Sequence, residues 1–176
     1  MRLFLAIDLP SPVKSKLAGQ LEGLKKEYPY FRWVREKLYH ITVQFFGTVE
    51  NPKELTEKIK EASYDATPFH LYSQGAEIFL RRQIVLHLSF QRSKQLEVLV
   101  RKIRDKIGKG DGRRFVPHLT FARYKIPSKQ QYLLIKKKAR NLDIDIDFSV
   151  KELTLFDSVI EEKRPVYKVI KQFRLR

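Results

Sequence analysis

The sequence predicts an α+β fold of two lobes in a pseudo-twofold arrangement, in which antiparallel sheets carry helices on the outside and enclose a central cleft. The order strand, helix, strand, helix, strand occurs twice along the 176 residues. In each repeat the middle strand carries the pattern His, apolar, Thr, apolar, so we expect both patterns in the cleft. No linker or low-complexity tract separates the repeats, and residues 1–176 are predicted to form a single domain of two packed lobes.

The elements of the first repeat are predicted from the spacing of its apolar residues. Residues 2–8 are almost continuously apolar, which is typical of a buried strand. Apolar residues then recur at helical spacing after Ser11 and Pro12, a pair that suits a helix N-terminus. The predicted elements are strands over residues 2–8, 38–46 and 67–75 and helices over residues 11–28 and 52–62.

The second repeat follows the same order. Ser93 precedes a helical pattern and is a suitable N-cap, and residues 108–112 predict a flexible basic turn because three of them are glycine. The predicted elements are strands over residues 84–90, 118–124, 144–156 and 166–175 and helices over residues 93–107 and 128–140. The stretch 144–156 is either one long strand or two strands joined by a bend.

The composition indicates a polyanionic partner. Lysine and arginine outnumber aspartate and glutamate by 36 to 20, which gives a formal net charge of +16. Charged residues make up 32% of the chain and cysteine is absent, a profile typical of thermostable proteins, although heat adaptation alone predicts balanced charge. The absence of cysteine excludes disulfides and thiolate chemistry. We interpret the excess of positive charge as the signature of nucleic-acid binding.

Membrane contact is not expected. The apolar runs have the length of strands, and Asp8 and Pro10 interrupt the N-terminal run too early for a signal peptide. We therefore expect a cytoplasmic protein, and we expect it to be a monomer.

The two matching segments are the most informative feature of the chain. The first motif is His40–Val43 and the second is His118–Phe121. Because side chains alternate along a strand, the His and the Thr of each motif share one face, while the apolar residues anchor the other face. If the two strands lie together, two imidazoles and two hydroxyls converge on one cleft. Such a cleft suits a phosphoryl group.

At these residues the chain resembles the 2H phosphoesterase superfamily, which is named for its two His-x-Thr/Ser motifs. Within it, the chain resembles the RNA 2′,3′-cyclic phosphodiesterases, also called 2′–5′ RNA ligases. The resemblance covers nearly the whole chain. The matching segments are residues 2–10, 32–34, 38–42, 45–47, 117–123 and 153–158, together with Tyr167.

The resemblance implies hydrolysis of a 2′,3′-cyclic phosphate at an RNA end, without a metal or other cofactor, to leave a 2′-phosphate. The substrate would be a tRNA-like or other RNA end. We assign His40 as the proton donor to the leaving 3′ oxygen and His118 as the proton acceptor for the attacking water. The opposite assignment remains open. Run backwards, the same pair would form a 2′–5′ link.

Further residues are candidates for substrate binding. Thr42 and Thr120 are expected to hold non-bridging phosphate oxygens. Arg123 is a phosphate-binding candidate, although strict alternation places it on the face opposite His118 unless the strand bulges near Ala122. Two aromatic side chains could stack on a base, Trp33 and Tyr124. Structural roles are expected for His70 and His87, which lack a following Thr.

Two other functions remain open. One is a non-catalytic module that binds RNA ends, which would show no turnover to lose on mutation of His40. The other is a phosphodiesterase for a small cyclic-phosphate nucleotide. A steep fall in affinity with salt would favour RNA over a small ligand.

Overall fold

The computed structural model describes residues 1–108, 114–125, 127–162 and 164–176. The helices are α1 (Ser11–Glu27), α2 (Pro52–Ala62), α3 (Lys94–Ile107) and α4 (Lys129–Arg140). The strands are β1 (Arg2–Asp8), β2 (Arg32–Trp33), β3 (His40–Thr48), β4 (Phe69–Leu80), β5 (Ile84–Phe90), β6 (His118–Tyr124), β7 (Asp147–Val150), β8 (Glu152–Glu161) and β9 (Arg164–Arg174). The sequence-predicted elements are present, and the short strand β2 is an addition.

The strands of the described residues form two antiparallel sheets. The four-stranded sheet has the order β3-β1-β8-β9, and the five-stranded sheet has the order β2-β6-β5-β4-β7. Each motif strand lies beside the first strand of its own repeat, β3 beside β1 and β6 beside β5. The motif strands also contact each other between the sheets. The α+β fold with a pseudo-twofold relation between the two sheets is confirmed.

The last strand of each repeat joins the sheet of the other repeat. Strand β4 follows the first motif in the chain but pairs with β5, while β8 follows the second motif but pairs with β1. The predicted strand over residues 144–156 is accordingly two strands. They belong to different sheets, and the division falls at Lys151. The two lobes are therefore built by exchange between the repeats, which the linear order of elements did not predict.

Two glycines lie at predicted boundaries: the structure differs from the prediction at Gly75 and agrees with it at Gly108. Strand β4 continues beyond Gly75 to Leu80, because Gly75 adopts a φ of 148° at a register shift that bends the strand without ending it. Gly108 adopts a left-handed conformation with φ 70° and ends α3. The rest of the predicted basic turn, residues 109–112, lies outside the described residues.

The helices bury apolar stripes against the sheets. In α1 the residues that recur at helical spacing are buried, namely Leu17, Leu21 and Leu24. One hydrophobic cluster joins residues of both sheets, including Leu5 and Ile41 of one and Leu86 and Leu119 of the other. Within the described ranges, no helix combines the length and the apolar character needed to cross a lipid bilayer.

Candidate active site

His40 is held in one orientation by its own strand. Its Nδ1 lies 2.7 Å from the carbonyl oxygen of Leu38. A carbonyl only accepts hydrogen bonds, so Nδ1 carries a proton and donates it. The other ring nitrogen, Nε2, lies 3.1 Å from Oγ1 of Thr42, which shares its face of β3. In the neutral ring Nε2 is therefore the atom free to accept a proton.

The surroundings of His40 favour its neutral form. Burial lowers the pKa of His40, and the nearby cations Lys14 and Arg123 lower it further. The Leu38 carbonyl and Asp8 oppose this shift without cancelling it. Asp8 is itself engaged with Lys14, at 2.6 Å. The imidazole is thus neutral near pH 7 in the free protein.

Aromatic rings support His40. The ring of Phe4 lies 5.2 Å from the His40 ring, and the ring of Tyr167 lies 5.3 Å away in an edge-on arrangement. Phe4 and Phe156 belong to a small hydrophobic cluster separate from the main core. We call the face of each sheet that carries the motif histidine the cleft face. On the four-stranded sheet this face is therefore largely aromatic.

His118 is built in the same way on the other sheet. Its Nδ1 lies 2.9 Å from the carbonyl oxygen of Val116, two residues earlier, as Leu38 precedes His40. The same tautomer follows, and Nε2 is again the nitrogen left for a substrate. Thr120 shares the face of His118 by strand alternation. Each motif thus has its imidazole and its hydroxyl on one face of its strand, and the two strands contact each other.

Two side chains of neighbouring strands flank His118. The rings of His87 and Phe79 are stacked 3.7 Å apart, and they lie 5.6 Å and 5.1 Å from the His118 ring. His87 is buried on β5, and this burial lowers its pKa to about 4. Its expected structural role is consistent with burial. The contact between its ring and that of His118 was not predicted from the sequence.

A bulge brings Arg123 to the cleft face. In the pairing of β6 with β5, Thr120 lies opposite His87, and the register then shifts by one residue. Phe121 is the extra residue, so Arg123 lies opposite Val85, on the face that carries Thr120. Strict alternation would have placed Arg123 on the other face. The bulge that its candidate role required is present.

Arg123 also reaches toward the four-stranded sheet. Its charge contributes to the lowered pKa of His40. Burial raises the pKa of the Tyr167 hydroxyl, and Arg123 offsets part of that rise. Burial lowers the pKa of the Arg123 guanidinium itself. A half-buried cation therefore lies close enough to both sheets for its charge to act on His40 and Tyr167.

Trp33 and Tyr124 lie away from the cleft face, contrary to their predicted stacking role. The indole N–H of Trp33 donates to the carbonyl of Tyr28 at 2.9 Å, and its ring stacks on Phe121, which is fully buried. Tyr124 lies opposite the buried Ile84 and packs against other aromatic rings behind the sheet. The side chains of Trp33 and Tyr124 lie on the sheet face of the apolar motif residues, which is opposite the face of the histidines.

Phe45 is a cleft-face residue that the sequence reasoning missed. In the pairing of β3 with β1, the register shifts after Thr42, which makes Val43 the extra residue. Phe45 then lies opposite Phe4, on the face of His40. Strict alternation from His40 would place Phe45 on the opposite face. The signal that would have found it is the pairing register, which one sequence does not contain.

The fold and the site define a class of protein. Two antiparallel sheets with one His-x-Thr motif each, on strands that contact each other, are the arrangement of a 2H phosphoesterase. The chain belongs to the 2′-5′ RNA ligase superfamily, whose family model matches residues 13–159.

Relatives agree with this membership along nearly the whole chain. The RNA 2′,3′-cyclic phosphodiesterase of Methanocaldococcus jannaschii is 28% identical over 98% of this chain and 100% of its own length. The enzyme of the same name from Thermotoga maritima is 29% identical over 97% of this chain and 93% of its own. The crystal structure of Escherichia coli LigT in its apo form superposes with a TM-score of 0.77, at 25% identity, over 99% of this chain and 96% of that one.

Proposed function

We propose that this protein hydrolyses RNA 2′,3′-cyclic phosphate ends to 2′-phosphates by two-histidine acid–base catalysis. The observation that carries the proposal is the matched construction of His40 and His118. Each ring donates Nδ1–H to the carbonyl two residues earlier and leaves Nε2 for proton transfer. The names of the relatives supply the reaction class, and the net charge of +16 favours RNA as the substrate.

The reaction requires two proton transfers, one at each histidine. Nε2 of His118 takes a proton from water as the water oxygen bonds to phosphorus. The bond between phosphorus and the 3′ oxygen breaks, and Nε2–H of His40 donates its proton to that oxygen. The first transfer ends on an imidazole nitrogen and the second begins on one, so the scheme uses no metal or cofactor. The protons are exchanged with solvent before the next turnover.

The environment of His40 is compatible with its assigned role as the acid. A histidine with a lowered pKa gives up its proton readily once it is charged. The negative charge of a bound cyclic phosphate would stabilise the charged His40 ring and so favour its protonation. Binding of the substrate would thus prepare the acid, which is neutral in the free protein.

The polar groups around the histidines would hold the phosphate. The hydroxyls of Thr42 and Thr120 would donate to non-bridging oxygens, whose charge grows as water adds. Thr42 already lies within hydrogen-bond distance of His40, which places its oxygen next to the reacting nitrogen. Arg123 would bind the same anion through its guanidinium. The same scheme, with the 5′-hydroxyl of a second RNA end in place of water, would give a 2′–5′ link as the 3′ oxygen leaves.

The two lobes are proposed to act as one domain. The main hydrophobic cluster includes residues of both sheets, and the exchanged strands β4 and β8 bind each repeat to the other. Separation of the lobes would therefore expose the core as well as divide the histidines.

The product distinguishes the proposed reaction from its alternatives. An RNA oligonucleotide that ends in a 2′,3′-cyclic phosphate is incubated with the protein, and the product is identified by phosphorus NMR. The proposal predicts a 2′-phosphate end and affinity for RNA that falls steeply with salt. A 3′-phosphate product would contradict the assigned leaving group. Binding of RNA without turnover would favour the end-binding module, and turnover of mononucleotides with weak salt dependence would favour a small substrate.

A further inference from the structure

Lys14 is a buried lysine near the motif strand β3. It lies in the first turn of α1, and the residue is 9% exposed. A lysine is almost never buried to this extent unless its ammonium group has partners. The ammonium of Lys14 lies 2.6 Å from a carboxylate oxygen of Asp8 and donates to the carbonyl of Lys37 at 3.1 Å. Each of these partners is connected to His40.

Asp8 is connected to His40 across the sheet. The two residues lie directly opposite each other in the pairing of β1 with β3. Side chains at opposite positions of antiparallel strands share one face and lie close together. A carboxylate beside an imidazole favours the charged ring. In the structure, however, Lys14 binds the carboxylate, and the His40 ring donates to the carbonyl of Leu38.

The second contact of Lys14 is with the turn that orients His40. This turn is the 3-10 helix Glu36–Leu38, which comes just before β3. Its glutamate accepts a hydrogen bond from Ser15, the next residue of α1, at 2.6 Å. Its last carbonyl, that of Leu38, accepts Nδ1–H of the His40 ring. Two side chains of α1 therefore hold the turn that fixes the tautomer of the imidazole.

The charges that act on His40 come from three elements. Arg123 lowers the pKa of His40 from β6, as Lys14 does from α1. Tyr167 of β9 presents its ring edge-on to the imidazole. Among the described charged residues that act on His40, Asp8 is the anion, and it raises the pKa of the ring. The position of this one carboxylate therefore bears directly on the charge of the ring.

We propose that Lys14 is a positioning residue for His40, which binds Asp8 away from the imidazole and holds the turn that orients the ring. This assignment rests on the proposed function, because it takes the role of His40 from the two-histidine scheme. Lys14 needs no contact with the substrate, and its side chain is 11% exposed. Its effect is that the phosphate anion of a bound substrate, and not Asp8, stabilises the charged ring.

NMR titration of the His40 ring tests this role without any turnover. Lys14→Met keeps an unbranched side chain and removes the charge. We expect it to raise the pKa of His40, because a cation is lost and the carboxylate of Asp8 is released. The rise should be smaller in the double variant Lys14→Met, Asp8→Asn, and Lys14→Arg should keep the wild-type pKa. Lys16→Met is the matched control, since Lys16 is an exposed lysine of the same helix.

Steady-state kinetics on an RNA cyclic-phosphate end give the second readout. The kcat of Lys14→Met is expected to fall by up to about 10²-fold, the cost of misplacing a reacting group by about 1 Å, with little change in KM. A purely structural role would lower the fraction of folded protein and leave the pKa of His40 in the folded molecules unchanged. The titration therefore separates positioning from stability.

An unchanged or lowered pKa of His40 in Lys14→Met would overturn the assignment, as would an equal rise in Lys16→Met. If Lys14→Met does not fold, Asp8→Asn takes its place. The ammonium of Lys14 would then act on His40 without its counter-ion, so the pKa should fall, and an unchanged pKa would overturn the assignment.

Failure of the positioning role can be told from failure of the proposed function. The expected rise in the pKa of His40, found in a protein whose wild type shows no turnover, would contradict the proposed function and support the positioning by Lys14. Wild-type turnover together with an unchanged pKa of His40 in Lys14→Met would overturn the positioning role and leave the proposed function intact.

Discussion

The ring of His87 lies 5.6 Å from the ring of His118, with the two planes nearly perpendicular at 79°. Burial of His87 lowers its pKa to about 4, and the charge of His118 adds to this effect. His87 is therefore neutral at pH 7. His118 therefore lies beside a neutral ring that is buried on the neighbouring strand β5.

The pH dependence of folding should report the buried His87. Its pKa is about 4 in the folded protein and near 6.5 in the unfolded chain, so the unfolded chain binds more protons between these values. Stability should be full above pH 6.5 and fall as the pH drops toward 4, by at most about 3 kcal/mol from this group. Urea unfolding of wild type and His87→Phe at pH 7.5 and 4.5 measures the difference. An equal pH dependence in both proteins would contradict it.

The titration of His40 should respond to bound anions. Burial lowers its pKa below the ordinary value, and an anion between the histidines would stabilise the charged ring and raise that pKa. NMR titration of the ring resonances, with and without sulfate, measures both values, because sulfate does not titrate near neutrality. A pKa at or above 6.5 in the free protein, or no rise with sulfate, would be the contrary outcome.

Arg123 should act on both the phosphate and His40. Arg123→Gln is expected to raise KM for the cyclic-phosphate substrate, because it removes the charged guanidinium that would donate hydrogen bonds to the phosphate. It should also raise the pKa of His40, because the guanidinium contributes to lowering that pKa. Steady-state kinetics and the same NMR titration measure these effects. If neither quantity changed, the cleft-face position of Arg123 would have no bearing on the reaction.

The two motif hydroxyls should contribute to the rate. Thr42→Val and Thr120→Val keep the shape of the side chain and remove the donor, so kcat is expected to fall about 10²-fold in each, by analogy with oxyanion holes. Thr56→Val is the matched control, because Thr56 lies on helix α2, away from the motif strands, and its hydroxyl donates to the carbonyl of Pro52. Wild-type kcat in Thr42→Val and Thr120→Val would exclude a role for these donors in the transition state.

The features that follow from residue periodicity could be predicted from the sequence. The register in which the strands pair could not. Strand alternation predicted that each motif histidine shares a face with its threonine, and apolar residues at helical spacing predicted the helices. Strict alternation alone would place Arg123 and Phe45 on the other face, because each reaches the cleft face through one extra residue in its strand. A bulge is set by how two strands pair, and that information is not local.

Contacts between residues distant in the chain also decide the positions of Trp33 and Tyr124. They likewise decide the division of the predicted strand 144–156 into β7 and β8 at Lys151. Aromatic residues beside a motif look alike in sequence whether they face a ligand or a core, and here both pack behind the sheet. The chain changes sheets at Lys151 because β7 pairs with β4 and β8 pairs with β1. Both outcomes were decided by partners distant in the chain.

The central claim is that His40 and His118 together carry the reaction. The most direct test measures opening of an RNA 2′,3′-cyclic phosphate end in excess EDTA by wild type, His40→Asn and His118→Asn. His70→Asn serves as the control, since His70 is an exposed histidine of β4. Wild type and His70→Asn should open the ring, while each motif variant should be slower by about 10²- to 10⁴-fold and remain folded. A motif variant that kept the wild-type rate, or a wild type inactive in EDTA, would contradict the account.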